Sequence, residues 1–200
     1  MHSALLKVVL MRYEKFNPNI HDVLKVATLV YDVDFRTFDM LFKSKESAVR
    51  TISKSIVNDD LESFLVILDD DNQIIGILIY YLSEFPKHFH FTSLRMLIVD
   101  ILDYFVLCDV QSGDVYIAEI AIDESMRGQG LGGKVIKDVI TWAKDEKLKR
   151  VILDADFRNT KAKKLYEKIG FREFNKKRVK IGKFVRGMHN MEYKLWSVLF

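Results

Sequence analysis

The residues with the clearest chemical potential form a glycine-rich segment, Arg127–Gly133, which reads Arg-Gly-Gln-Gly-Leu-Gly-Gly. Glycine lets the backbone approach a ligand closely and turn its N–H groups inward. An apolar run precedes the segment and a helical pattern follows it, so the positive end of a helix dipole is expected there. Arg127 and Lys134 add positive charge. The segment therefore predicts a binding site for a ligand that carries phosphate.

Three phosphate-binding patterns match this segment, and the first is the dinucleotide fingerprint G-x-G-x-x-G. Gly128, Gly130 and Gly133 satisfy it, and Asp154 follows at the distance of the ribose-binding acid, about 20 residues on. However, the preceding apolar run ends near Ile122, whereas a dinucleotide turn follows its strand directly. Too little chain remains behind the motif for a doubly wound sheet. Both observations disfavour a dinucleotide.

The second pattern is the nucleotide P-loop, G-x-x-x-x-G-K-[ST]. Residues 128–134 match its glycines and lysine, but Val135 stands where Ser or Thr must bind magnesium. The missing hydroxyl removes a metal ligand and disfavours this interpretation.

The third pattern is R/Q-x-x-G-x-G/A, which Arg127–Gly132 satisfies. A second motif lies downstream, where Asn159–Phe171 matches N-x-x-A-x-x-L-Y-x-x-x-G-F at every defined position. With both motifs, the chain resembles the GNAT superfamily of N-acetyltransferases, closely over about residues 113–174 and loosely before them. Neither rival pattern accounts for the second motif.

The resemblance implies acetyl-CoA as co-substrate and no metal. The pyrophosphate would lie on the amides of the glycine segment, and the pantetheine arm would pair with the preceding strand as an added strand. A backbone N–H of that strand would stabilise the oxyanion. Asn159 would contact the pantetheine or cap its helix, or do both. The residues expected to bind the cofactor are Ile120, Ala121, Ile122, Arg127, Gly128, Gln129, Gly130, Leu131, Gly132, Gly133, Asn159, Ala162 and Tyr166.

Two residues are candidates for proton transfer in a direct attack by the amine. The resemblance points to Tyr166, one helical turn after Ala162, as the general acid for the departing thiolate; the alternative is a core tyrosine. Glu119 is the lone charge in an apolar strand, so burial is expected to raise its pKa toward that of a general base. The alternative for Glu119 is a structural ion pair.

The elements that position these residues alternate as strand, loop, helix, strand, helix and strand. This order predicts a mixed α/β (α+β) fold with a mostly antiparallel central sheet, a splayed parallel strand pair at the acetyl-CoA site, and flanking helices. Periodicity and turn residues give the bounds. We expect helices at Ile20–Tyr31, up to Phe42, from Ser44 to about Val57, from Leu131, and from Asn159 to Ile169. We expect an initial strand up to Tyr13 and further strands at Phe64–Leu68, Ile74–Leu82, Val115–Ile122, Arg150–Asp154, Phe171–Phe174 and Met188–Leu195.

Several other features have plain interpretations. The whole chain, 1–200, is expected to form one domain with an extra helical segment at about 85–110. Cys108 is expected to be a small buried hydrophobe. His88 and His90 lack further ligands at metal-binding spacing. The basic run Lys176–Lys180 suggests a solvated hairpin, or else a contact for an acidic acceptor or for the nucleotide 3′-phosphate.

The composition of the chain limits the classes of partner that it is expected to bind. A net charge of +3 over 200 residues is too small to indicate nucleic acid or an anionic membrane. The longest apolar run, Leu94–Cys108, is shorter than the ~20 residues of a membrane span. A single cysteine excludes an internal disulfide and favours a reducing, cytoplasmic setting. A homodimer is left open.

The expected function is therefore transfer of an acetyl group from acetyl-CoA to a primary amine of a small molecule, peptide or protein. A domain that binds acyl-CoA as a sensor without chemistry is the alternative from another class. A longer acyl donor is a third option.

Overall fold

The computed structural model describes residues 11–57, 63–82, 105–181 and 184–196. Seven strands and five α-helices are assigned there. The strands are β1 (Arg12–Lys15), β2 (Phe64–Leu68), β3 (Ile74–Tyr81), β4 (Asp114–Ile122), β5 (Arg150–Asp156), β6 (Arg172–Ile181) and β7 (Phe184–Lys194). The helices are α1 (Val23–Val33), α2 (Phe35–Leu41), α3 (Lys45–Ile56), α4 (Leu131–Asp145) and α5 (Thr160–Ile169), with a short 3-10 turn at Glu124–Met126.

The strands form one sheet in the order β1-β2-β3-β4-β5-β7-β6. The β4–β5 pair is parallel and every other pair is antiparallel. The parallel pair arises because α4 crosses over between its two strands, and such a crossover returns the chain in the same direction. The expected fold class, with its parallel pair inside a mostly antiparallel sheet, is confirmed.

Helices cover both faces of the sheet. On one face, α1, α2 and α3 pack on β2, β3 and the end of β4, where Ala121 lies in their cluster. On the other face, α4 packs on β4 and β5, and Tyr166 of α5 joins that cluster at its edge. We call these the α1 face and the α4 face. The glycine segment enters α4, so it belongs to the α4 face.

Capping residues set where the helices begin and end. Asp22 accepts hydrogen bonds from the N–H groups of Leu24 and Lys25, at 2.9 and 3.0 Å, so α1 begins at Val23 and the expected start at Ile20 is wrong. Ser44 caps α3 as expected, accepting from Ser47 N at 3.3 Å. Gly170, with φ +118°, ends α5 as expected.

The expected extents of the last two strands are also wrong. The basic run Lys176–Lys180, expected in a solvated hairpin, forms part of β6, and β6 and β7 make a long hairpin whose connection falls between Ile181 and Phe184. β6 is an edge strand of the sheet, so its charged side chains remain largely exposed, as expected of a solvated run. Lys177 differs, since its ammonium bonds Leu107 O and Asp109, each at 2.8 Å.

The predictions for His88 and His90, and for most of the segment at 85–110, fall outside the described residues. Cys108 is described and is buried, as expected. None of the helices assigned in residues 11–57, 63–82, 105–181 and 184–196 is long and apolar enough to cross a membrane.

Candidate active site

The site forms where β4 and β5 part. Their backbone pairing ends at Ile117 and Leu153. Beyond that pair, β4 continues to Ile122 along β3, and β5 continues to Asp156 along β7. Past Ile117 and Leu153, the facing edges of β4 and β5 are therefore not paired with each other through their backbones. A V-shaped opening results, and the strand residues expected to pair with pantetheine line one side of it.

A β-bulge in β4 accounts for the parting. Ile117 pairs with Tyr80 and Glu119 pairs with Ile79, so Ala118 is an extra residue without a partner on β3. A bulge bends its strand and increases the local twist. The bend occurs at the first residue past the last β4–β5 pair, and it directs the end of β4 away from β5.

The glycine segment follows β4 after the 3-10 turn and forms an open cradle. Gly128 and Gly130 have φ values of +81° and +77°, which L side chains rarely adopt. A Cβ built on either residue would meet no protein atom within 4 Å. Gly130 is the N-cap of α4 and offers no side-chain cap, so the first amides of α4 lack a capping side chain. The cradle fits an anionic ligand.

The charged side chains near the cradle are held by other groups. Arg127 Nε donates to Ile122 O at 3.1 Å, and its guanidinium lies 3.8 Å from Asp32. Lys134 pairs with Asp138 at 3.1 Å. The cradle therefore relies chiefly on backbone amides and the α4 dipole for its positive character.

The last two glycines of the segment face protein. A Cβ on Gly133 would lie 3.5 Å from Leu165 of α5, and one on Gly132 would lie 3.9 Å from Ile122. Gly133 thus permits the close approach of α4 and α5. Both residues were expected to bind the cofactor. They also have a packing role, because any side chain at these positions would contact Leu165 or Ile122.

The second motif places α5 beside the opening. Asn159 Oδ1 accepts a hydrogen bond from Ala162 N at 3.1 Å, so the capping role is realised. Tyr166 is half-buried and packs on Phe171 with ring centroids 6.1 Å apart. Burial, and then the charge of Asp154, raise the pKa of Tyr166 to about 12. The phenol therefore remains protonated at neutral pH.

Glu119 lies on the opposite side of the sheet from Tyr166. It pairs with Ile79, which packs against the α1-face cluster, and paired residues of neighbouring strands point to the same face. Its Oε2 atom is buried. The two residues expected to move protons thus flank the opening from different faces.

A buried polar cluster at the opening was not predicted from the sequence. Asp154 follows the last β4–β5 pair and accepts from Cys108 N and Tyr116 Oη, each at 2.9 Å, from Cys108 Sγ at 3.1 Å, and from Asn190 Nδ2. Burial raises its pKa, and these donors oppose the shift. An enclosed carboxylate cannot bind a ribose, so the dinucleotide interpretation loses its acid. The sequence signal that could have revealed this cluster is the presence of polar residues within otherwise apolar strands.

Within the described part of the chain, no group of three or more His, Cys, Asp or Glu side chains could hold a metal ion.

Comparison with known proteins agrees with this geometry. The sequence profile of the acetyltransferase (GNAT) family matches residues 29–171. The chain belongs to the GNAT acetyltransferase family. Members of this family use acetyl-CoA, and this GNAT protein is accordingly an acyltransferase. No curated protein matches its sequence.

Solved structures share the GNAT fold at low identity. An N-acetyltransferase from Staphylococcus aureus Mu50 is 22% identical with a TM-score of 0.61, covering 91% of this chain and 100% of that one. The spermidine/spermine N-acetyltransferase of Vibrio cholerae is 14% identical with a TM-score of 0.56, covering 92% of each. The ribosomal-protein-S18-alanine N-acetyltransferase of Escherichia coli is 13% identical with a TM-score of 0.55, covering 94% and 96%. The names of the last two specify different acceptors, spermidine or spermine in one and the alanine of ribosomal protein S18 in the other.

Proposed function

We propose that this protein transfers the acetyl group of acetyl-CoA to a primary amine. The observation that carries the proposal is the pairing of an open amide cradle, around Gly128 and Gly130, with the unpaired strand edge past Ile117. One ligand with a pyrophosphate and an amide-bearing arm can use both features at once. A dinucleotide would use only the first.

In this arrangement the chain's own groups hold the donor. Amides of residues 128–132 bind the pyrophosphate, and the edge of Ile120–Ile122 hydrogen-bonds the pantetheine amides. Acetyl-CoA supplies an acetyl group already activated as a thioester.

Two proton movements remain for the protein. The ammonium form of the acceptor loses a proton before its nitrogen attacks, and Glu119 is the proposed acceptor of that proton. The nitrogen releases a second proton when the amide bond forms, and this balances the proton that the departing sulfur takes up. The thioester C–S bond breaks, and the sulfur needs a hydrogen-bond donor and then a proton. Tyr166 is the proposed donor, because its raised pKa keeps the phenol protonated. The products are the N-acetylated amine and free CoA.

A non-catalytic acyl-CoA sensor is the alternative function. The half-buried Tyr166 beside the opening favours the enzyme, because a sensor has no use for a proton donor there. Donors with longer acyl chains belong to the same chemistry and are compared in the same assay.

The first test is a thermal shift with acetyl-CoA, CoA and NAD. A ligand that binds the folded state raises the melting temperature, so acetyl-CoA and CoA should stabilise the protein and NAD should not. Stabilisation by NAD without stabilisation by acetyl-CoA would overturn the proposal.

The second test measures release of CoA over a panel of amines and peptides. The enzyme gives release above the hydrolysis rate with at least one acceptor. Tight acetyl-CoA binding with hydrolysis alone across the panel would support the sensor instead.

A further inference from the structure

A cavity of about 360 Å³ lies at the carboxyl end of β5. One wall is the junction of α1 and α2, from Val33 to Arg36, and the other runs from Asp156 into the start of α5. The cavity therefore adjoins the opening between β4 and β5. Its volume is in the range of small-molecule sites.

The carboxylates that line this cavity are already neutralised. Asp156 forms two bonds with the guanidinium of Arg158, at 2.8 and 2.5 Å. Asp34 pairs at 2.5 Å with Arg186, which is 4% exposed and also bonds Thr37 at 2.6 Å. A buried guanidinium held by two partners keeps Asp34 in place. Neither carboxylate is available as a counter-ion for a cationic ligand.

Two cations of the lining stand outside this network. Arg36 and Lys161 are exposed, and neither makes an ion pair with any residue in the described ranges. Arg36 lies over the ring of Phe35, 5.5 Å from its centroid, and Phe35 is itself 46% exposed. The first turn of α5 adds the positive end of its dipole. The cavity thus combines surplus positive charge with an apolar ring.

The cavity lies apart from the amide cradle. The cradle opens at the start of α4, whereas Arg36 comes from the helix pair that covers the α1 face, where Glu119 also lies. In the proposed reaction the donor enters along the cradle, and Glu119 takes a proton from the acceptor. Arg36 is therefore on the side of the acceptor, and Lys161 of α5 lines the opposite wall of the same cavity.

We infer that this cavity binds an anionic group of the acceptor, so that the substrate is a primary amine that also carries a carboxylate or a phosphate. Arg36 and Lys161 pair with that group, and Phe35 contacts the adjoining carbon chain. The amine then points toward the opening. This inference rests on the proposed function and specifies its acceptor.

Matched acceptors test the inference and separate the two anions. Phenylalanine against phenethylamine tests the carboxylate, and O-phosphoethanolamine against ethanolamine tests the phosphate. The two charge pairs lie at exposed side chains and together contribute about 1.4 kcal/mol, so kcat/KM should be about tenfold higher for the anionic member of one pair of acceptors. Equal or better turnover of the neutral members in both pairs would overturn the inference while leaving the acetyltransferase proposal intact.

Two single-residue variants test whether Arg36 and Lys161 cause the preference for an anionic acceptor. Arg36→Gln and Lys161→Gln should each raise KM for the preferred anionic acceptor about threefold, since each removes one of two charge pairs, and leave KM for its neutral counterpart unchanged. Lys137→Gln, an exposed lysine on α4, is the control and should change neither value. A rise in KM for acetyl-CoA instead would assign the cavity to the cofactor's phosphates and contradict the inference.

A binding measurement does not depend on turnover. The preferred anionic acceptor alone should raise the melting temperature of the native chain and of Lys137→Gln, and this shift should be smaller in Arg36→Gln at the same acceptor concentration. An equal shift in all three proteins, or none in the native chain, would overturn the inference. If acetyl-CoA binding or CoA release also failed for every amine, the proposed function would fail separately.

Discussion

The hydroxyl of Tyr116 on β4 donates a 2.9 Å hydrogen bond to the carboxylate of Asp154 on β5, one residue beyond the last backbone pair that joins these strands. A side-chain hydrogen bond thus joins β4 and β5 just past the point where their backbone pairing ends. Asp154 also accepts from Cys108 and Asn190, so four segments of the chain meet at one carboxylate. The cluster lies at the position from which β4 and β5 begin to diverge.

Asp154→Ala should lower the free energy of unfolding by about 3 kcal/mol, because buried donors on three residues lose their acceptor. Tyr116→Phe should cost about 1 kcal/mol, since it removes one bond to the same carboxylate. Chemical denaturation measures both. Asp145→Ala, at an exposed position on α4, is the control and should be nearly neutral. A similar value for Asp154→Ala and Asp145→Ala would contradict a structural role for the cluster.

Gly130→Ala should weaken acetyl-CoA binding at least about tenfold, because a methyl group would project into the cradle and disfavour the positive φ. Gly113→Ala is the control for backbone strain, since Gly113 also has a positive φ, of +90°, but lies outside the cradle, where the new methyl group would displace only the flexible side chain of Lys149. Both variants should lose about 1 kcal/mol of stability. Calorimetric titration with acetyl-CoA measures the affinity of each variant. It therefore separates the effect of backbone strain, which both variants share, from the loss of ligand contact, which is expected only in Gly130→Ala. Equal weakening in the two variants would remove the cradle from the binding site.

Tyr166→Phe should reduce kcat about 10²-fold and leave KM for acetyl-CoA nearly unchanged, as expected for loss of an acid. Because the pKa of Tyr166 is raised to about 12, its ionisation should cause no loss of activity until the pH approaches that value. Steady-state kinetics across pH check both statements. Tyr193→Phe, which alters another half-buried tyrosine packed on Phe171, should retain activity.

Glu119→Gln should lower kcat about 10²-fold near neutral pH if the carboxylate accepts the proton of the amine. The deficit should shrink at alkaline pH, where a larger fraction of the acceptor arrives deprotonated without help. A merely structural carboxylate would give a loss that does not vary with pH. The pH profile of kcat/KM for the variant and the native chain decides between these roles.

Asp123→Asn should reduce stability by about 1 kcal/mol at neutral pH, after discounting for the partly exposed Lys25. Hydrogen bonds from Lys25 and Ser125 lower the pKa of Asp123 from its ordinary 3.8 to about 2. Since the folded-state pKa is the lower one, the stabilisation is present above about pH 4 and is lost as the pH falls through 2. Thermal unfolding at several pH values measures it. A difference between the two proteins that persisted unchanged near pH 2 would contradict the assignment.

The sequence by itself determined the local features of the site. The cradle depends on glycines at two positive-φ positions and on the helix that follows, and α5 depends on Asn159 and Gly170 at its ends. All of these are properties of short contiguous segments, so motif spacing predicted them. The same reasoning failed for β6, because a strand rich in lysine and arginine has no alternation of apolar residues to reveal it.

Only the tertiary structure decided how distant segments meet. The bulge at Ala118 follows from the register of β4 on β3, and the three partner residues of Asp154 come from two other strands and one connecting segment. Arg186 reaches Asp34 across 152 positions of the chain to build one wall of the cavity. Such contacts depend on the packing of the whole sheet and its helices. The sequence therefore indicates the class of donor, whereas the cavity that selects the acceptor exists only once the chain has folded.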